Sequence, residues 1–245
     1  MRILSFFKTH GWMVVLITLV LMAYKDFPGT FFQQDELWSF GRYNRVEGVN
    51  GLVYFVKNVV LTPGNIRYNP LTDLGFFLQY KLFQMNFSSY AFASIFMHIL
   101  NTFLVYIFIN KILKNKYIAV LSALLFVINS ASHQAVSWVA SSLNTQGSTL
   151  FSLLFYILFL NYLENKMKNK KMLILSLFFL VIGPLFKENI APFLLAPLLY
   201  LFYRSDKSFI FAKKVFIPFG FFILIYLLLH IFIYFSAPIV PSDNV

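Results

Sequence analysis

YAFASIFMHILNTFLVYIFIN-KILKNK-YIAVLSALLFVINS, residues 90–130, is the stretch that sets the architecture. Residues 90–110 carry no charged side chain, and about 20 such residues at 1.5 Å rise cross the roughly 30 Å hydrocarbon core of a bilayer. Lys111, Lys114 and Lys116 follow, and a second apolar run begins at Tyr117. This is the pattern of two membrane helices joined by a short basic turn.

The rest of the chain repeats that pattern. With 59% hydrophobic and 20% aromatic residues and a mean hydropathy of +0.72 over 245 residues, the composition lies outside that of soluble domains. We read an all-α polytopic transmembrane bundle, a single transmembrane domain over residues 1–245, with about seven spans. They cover approximately 4–24, 90–110, 117–130, 147–163, 172–186, 190–203 and 215–235. The third, fifth and sixth are short and either borrow flanking residues such as Ser132 and Lys187 or cross incompletely. Arg2 and Lys8 precede the first apolar run as in a signal peptide, but Lys25 follows without a small-x-small cleavage site, which favours a retained anchor.

Lysine and arginine accumulate in short cytoplasmic loops. Alternate connections hold 13 of the 20 Lys and Arg residues, whereas the short connections on the other side hold only Lys187. The amino terminus is therefore expected in the cytoplasm and the loop over 25–89 outside. The net charge of +11 is then topological, facing anionic lipid, and implies membrane lipids rather than nucleic acid as the partner. The absence of cysteine excludes disulfides, thiolate metal sites and a cysteine nucleophile.

The loop over 25–89 is too apolar for a linker. Leu52, Val53, Phe55, Val56, Val59 and Val60 cluster around Lys57, and Leu71, Leu74, Leu78 and Leu82 recur at helical spacing. Two helices lying in the outer interface would bury these faces and keep the lysines wet. Thr62-Pro63-Gly64-Asn65 between them signals a turn.

Chemistry concentrates on the outward side. Asp35 and Glu36 are an adjacent pair among only 9 acidic residues, and a carboxylate beside a bilayer is costly unless solvated, paired or used. Their structural alternative is a solvated helix start, where carboxylates complement the N-terminal dipole. The connection over 130–146 carries His133, Gln134, Trp138, Asn144 and Gln146 without formal charge; Lys187-Glu188-Asn189, bracketed by Pro184 and Pro192, interrupts another apolar run as a loop or broken helix. Lys187-Glu188 also reads as an interfacial ion pair, His133 and Trp138 as interface anchors, and Arg67 as a turn-positioning residue. His98 and Asn101 inside a span read as interhelical hydrogen-bonding residues, and His230 as a packed histidine. Gly-x-Ser-x-Gly, phosphate-loop, His-Glu-x-x-His and EF-hand patterns are absent.

Five stretches recur in a known order: Asp35-Glu36; Arg67-Tyr68-Asn69-Pro70-Leu71-Thr72 opening a helix; His98-Ile99-Leu100-Asn101; Gln134-Ala135-Val136-Ser137-Trp138-Val139; and Lys187-Glu188-Asn189. Together they resemble membrane glycosyltransferases of the GT-C fold that use polyprenyl-phosphate sugars, above all the O-mannosyltransferase-like group whose eukaryotic members carry tetratricopeptide repeats. The chain departs from the group at Gln134, where members tend to carry an acidic residue, and near Ser142 and Asn144, where they tend to carry arginine and aspartate. Such enzymes usually have more spans, so a fragment or reduced relative is expected. The resemblance implies a polyprenyl-phosphate sugar donor, an extracytoplasmic glycan, lipid or protein acceptor, and a site on the outer side of a bacterial inner or plasma membrane.

The chemistry suits those positions. In an inverting transfer a carboxylate takes the acceptor hydroxyl proton as the oxygen attacks the anomeric carbon. Asp35 and Glu36 are the catalytic candidates; Glu36 could equally orient an acceptor, and the pair could hold a divalent cation, although no cofactor or resident metal is expected. Lys187 and Arg67 are the cations for the departing phosphate, and Glu188, His133, Gln134 and Trp138 complete the expected substrate-binding set. A non-catalytic scaffold or lipid-linked sugar carrier on the same fold is the alternative.

Overall fold

The computed structural model describes residues 2–44, 46–57, 68–165 and 168–188, with 195, 217, 220, 221, 224–226, 228, 231, 232 and 235. Arg67, His230, the 62–65 turn and most of the sixth and seventh predicted spans lie outside the described residues.

Among the described residues there are nine α-helices and no strand: α1 Arg2–Ala23, α2 Gln34–Asn44, α3 Gly48–Phe55, α4 Pro70–Phe83, α5 Phe87–Leu113, α6 Lys116–Ile128, α7 Ser130–Ser137, α8 Val139–Glu164 and α9 Lys170–Phe186. A 3-10 turn, Phe27–Gly29, ends the first segment. Among the described residues three segments are long and apolar enough to cross a membrane: Gly11–Gly29, Phe87–Leu113 and Val139–Glu164. The protein is an integral membrane protein. The 13-residue α6 covers only about 20 Å at 1.5 Å per residue; the backbone leaves the helix at Asn129 and re-enters it as α7. The 17-residue α9 likewise falls short of a full crossing.

The hairpin over 90–130 forms as its lysines suggest. Lys114 closes α5 in the left-handed conformation (φ +50°), and the Asn115 side chain accepts from the backbone N–H groups of Tyr117 and Ile118 at the start of α6. Orphan groups at both helix ends are thereby partly satisfied. At that same end Lys111 Nζ lies 2.7 Å from Glu164 at the end of α8, so the lysine-rich connections gather on one side.

At the centre of the bundle α5 packs against α7 and α8, joined by polar side chains. Asn101 Nδ2 donates to the Gln146 carbonyl (3.1 Å), Ser94 Oγ donates to the Val136 carbonyl (2.7 Å), and Gln146 Nε2 donates to Ser94 Oγ (2.8 Å). Side chains of this kind hold helices together where lipid offers no hydrophobic contrast. Asn101 thus makes its expected interhelical bond. The His98 ring instead stacks on Phe126 and meets Tyr24 edge-on.

The first loop is more organised than two interfacial helices. Its described residues hold three, α2, α3 and α4, joined by an aromatic core: Phe40 stacks on Tyr80 (5.0 Å between centroids), Phe55 on Phe77 (4.4 Å), and Tyr43 meets Phe55 edge-on. Such pairs contribute about 0.5–1.5 kcal/mol each beyond the area they bury. The aliphatic residues Leu52, Val53, Leu78 and Leu82 remain on the outside, as expected for faces that meet lipid. Aromatic residues between those leucines turn inward.

Candidate functional site

Asp35 and Glu36 occupy the second and third positions of α2, yet their side chains go different ways. Glu36 is 1% exposed. Its Oε2 accepts from the Gln33 backbone N–H at 2.8 Å, the return half of a capping box. Its Oε1 accepts from the Ala140 backbone N–H, also at 2.8 Å. Ala140 lies in the first turn of α8, whose N-cap residue Trp138 makes no side-chain cap. A carboxylate from α2 therefore satisfies an orphan donor of α8 and complements its dipole. Asp35, one residue earlier, is exposed.

Asp35 faces a cavity of about 610 Å³, whose wall also includes Gln134, Trp138, Asn144, Lys187 and Glu188. These residues come from α2, α7, α8 and the segment after α9. The cavity lies at the end of the bundle opposite the Lys111–Glu164 pair, since α8 enters at Val139 and leaves at Glu164.

The far wall is built where two of the sequence motifs meet. Tyr68 N–H donates to Glu188 Oε1 (3.0 Å), and Thr72 Oγ1 donates to the Phe186 carbonyl (2.7 Å). The segment before α4 is thereby tied to the end of α9. Lys187 is extended (φ −157°, ψ 137°), and its Nζ donates to Thr145 Oγ1 at 3.0 Å. An ammonium has three donors. Among the described residues Lys187 and Glu188 form no ion pair with each other; each is held by α8 or the α4 entry. Close packing fixes this corner: a Cβ on Gly147 would lie 2.6 Å from the Phe186 ring.

Two polar atoms of the wall, Trp138 Nε1 and Asn69 Oδ1, are buried without a hydrogen-bond partner among the described residues.

Of the residues expected from sequence, Asp35, Gln134, Trp138, Lys187 and Glu188 converge. His133 stacks on Tyr24 at 5.3 Å and does not line this cavity; Glu36 lies behind it. Asn69, Ser141 and Thr145 line it although sequence reasoning did not select them. Asn69 stood within a quoted motif; Ser141 and Thr145 carried no signal, being small hydroxyl residues in a helix of ordinary composition. Among the described residues no group of three or more His, Asp or Glu side chains comes together as a metal-binding cluster.

No curated protein and no solved structure matches the chain significantly. A family model does: that of the dolichyl-phosphate-mannose-protein mannosyltransferases, over residues 70–234. The match takes in α4 through the Lys187-Glu188 wall and begins after Asp35. It spans more than half of the 245 residues, and the chain therefore belongs to the dolichyl-phosphate-mannose-protein mannosyltransferase family, membrane enzymes of the GT-C fold.

Proposed function

We propose that the protein transfers a sugar from a polyprenyl-phosphate donor to an acceptor hydroxyl on the extracytoplasmic side of the membrane, with inversion at the anomeric carbon. The observation that carries this reading is that one polar cavity is bounded by both the Asp35 carboxylate and the Lys187 ammonium. These groups are far apart in sequence and suited to opposite ends of one displacement. The acceptor oxygen bonds to C1 while its proton passes to Asp35. The C1–O bond to phosphate breaks, and the phosphate leaves with the electron pair. General-base help of this kind is worth about 10² to 10⁴ in rate.

Lys187 stabilises the charge that grows on the leaving phosphate, with the unpartnered Trp138 indole N–H as a further donor. Glu36 acts as a positioning residue: it holds the start of α2 to the start of α8 and so fixes Asp35 beside it. The cavity's distance from the lysine-rich helix ends supports an outward-facing site. At that level a lipid chain would lie in the bilayer with its phosphate near the polar surface.

The test is transfer from a labelled polyprenyl-phosphate mannose by purified protein in lipid nanodiscs. Asp35→Asn is expected to lower the rate at least 100-fold with donor affinity preserved. Equal rates for wild type and Asp35→Asn overturn the assignment of the base.

A further inference from the structure

Lys187 is the one cation in the described lining of the chamber that Asp35 faces, and it is held at both ends. At its base the backbone leaves α9 in an extended conformation, with Phe186 and Glu188 on either side tied to the α4 entry. At its tip Nζ donates to Thr145 Oγ1 at 3.0 Å. Thr145 Oγ1 in turn donates to Asn144 Oδ1 at 2.8 Å. Ser141 Oγ lies 3.3 Å from Thr145 Oγ1 and donates to the same Asn144 oxygen at 3.4 Å.

We propose that Thr145 is a positioning residue: its hydroxyl, with Asn144 as the acceptor of its proton, aims the Lys187 ammonium at the phosphate of the polyprenyl donor. The proposal rests on the transfer reaction above and deepens it by naming what holds the cation in place.

Three observations carry it. The first is direction. An ammonium only donates, and a hydroxyl has a single proton, so the bond from Lys187 obliges Thr145 to accept and to send its own proton elsewhere. Asn144 Oδ1 takes it. The chain of bonds from Lys187 through Thr145 to Asn144 therefore runs one way, and bonds joined head to tail polarise and strengthen one another.

The second observation is charge. Thr145, Asn144 and Ser141 are all neutral, so Lys187 is steered without being neutralised. A carboxylate in the place of Thr145 would hold the ammonium harder but cancel its field. The hydroxyl takes one of three N–H groups, leaving two, with the full charge, for a ligand. Glu188, the carboxylate next in sequence, is engaged by the Tyr68 N–H.

The third observation is order. A lysine stem is long and flexible, and fixing it is entropically unfavourable. Holding it before the ligand arrives lowers what binding itself must impose. Ser141, Asn144 and Thr145 stand within the first two turns of α8, where residues three and four apart are neighbours. The same helix start is held to α2 by Glu36 through Ala140. One helix end thereby sets both the base and the cation.

The experiment is a phosphorus NMR titration of farnesyl phosphate, a short polyprenyl monophosphate, into the full chain in nanodiscs of neutral phosphatidylcholine. Binding is read with no turnover. Wild type is expected to bind and to shift the phosphomonoester resonance. Thr145→Val keeps the shape and removes the hydroxyl; it should weaken binding by about 10-fold or more at the wild-type unfolding temperature, and Thr145→Ser should recover most of the loss. In Lys187→Ala, adding Thr145→Val should weaken binding no further, because a residue that acts through the lysine has nothing left to act on. Wild-type affinity in Thr145→Val overturns the proposal. So does a Thr145→Val loss that persists undiminished in Lys187→Ala, or a wild type that binds no farnesyl phosphate. Asp35-dependent transfer with Thr145→Val binding as wild type would remove Thr145 and leave the transfer reaction standing. The expected set of affinities in a protein that transfers no sugar would keep the Lys187–Thr145 phosphate subsite and remove the transfer reaction.

Discussion

Replacing Glu36 by glutamine exchanges one carboxylate oxygen for an amide nitrogen inside a buried site with two N–H donors. The variant can accept from Gln33 or from Ala140, each now 2.8 Å from a carboxylate oxygen, but not from both. The lost bond was charge-assisted, a class worth about 1.5–3 kcal/mol, and a buried donor left unpaired costs about 1–3 kcal/mol. These terms overlap, so a destabilisation of about 2–4 kcal/mol is expected. The Gln33 bond is local to α2, whereas the Ala140 bond spans 104 positions, and the long-range tie is the one expected to open. Asp35 would then drift, and a misplacement of about 1 Å costs about 10²-fold in rate. Thermal unfolding in detergent and single-turnover transfer from labelled donor read the two effects side by side. Lower stability with a rate between those of wild type and Asp35→Asn is the expected result. Wild-type stability combined with a rate as low as that of Asp35→Asn would refute the reasoning, because Glu36 would then be the base and not its support.

Lys187→Ala should lower the transfer rate by about 10²- to 10³-fold, the range for removing one donor from a developing anion, while Lys187→Arg retains part of it; donor-saturation kinetics measure both. Gly147→Ala forces a methyl against the Phe186 ring and should cost about 1–3 kcal/mol, read by thermal unfolding, with a secondary loss of donor affinity as Lys187 shifts. Asp73, raised by burial from 3.8 to about 6, binds its proton more tightly when folded, so its stabilising contribution is full below pH 3.8 and lost as pH rises through about 6. Asp73→Asn should therefore gain stability relative to wild type between pH 4 and pH 7 in parallel melts. Lys111→Ala breaks an ion pair whose side chains are 21% and 34% exposed; such pairs are worth about 0–1 kcal/mol, and transfer should be unchanged.

The membrane helices were readable because span length and charge asymmetry are properties of short windows. The hairpin over 90–130 and the gathering of the lysines at one end of the bundle follow from those windows alone. Boundaries failed where a polar helix continued an apolar one. Val139–Gln146 read as connection, yet it forms the first turns of α8, because a helix at the protein–water boundary keeps its hydrogen bonds whatever its side chains face. The aromatic core of the first loop was hidden for another reason: Phe40, Tyr43, Phe55 and Phe77 meet across three helices, and only tertiary packing selects them over the leucines at equal helical spacing. Asp35, Lys187 and Trp138 stood out as rare polar residues in an apolar chain. The separate fates of Asp35 and Glu36 did not, since the donor that claims Glu36 belongs to Ala140, a backbone group with no signature of its own.

Adjacent residues on a helix point about 100° apart, and that angular offset governs the pair at the start of α2. Writing the two acids in reverse order would preserve charge and composition but place the longer arm in the chamber and leave the shorter one, by a methylene, out of reach of α8. The motif is therefore directional: it is read by a fixed ruler, and its two letters cannot be transposed.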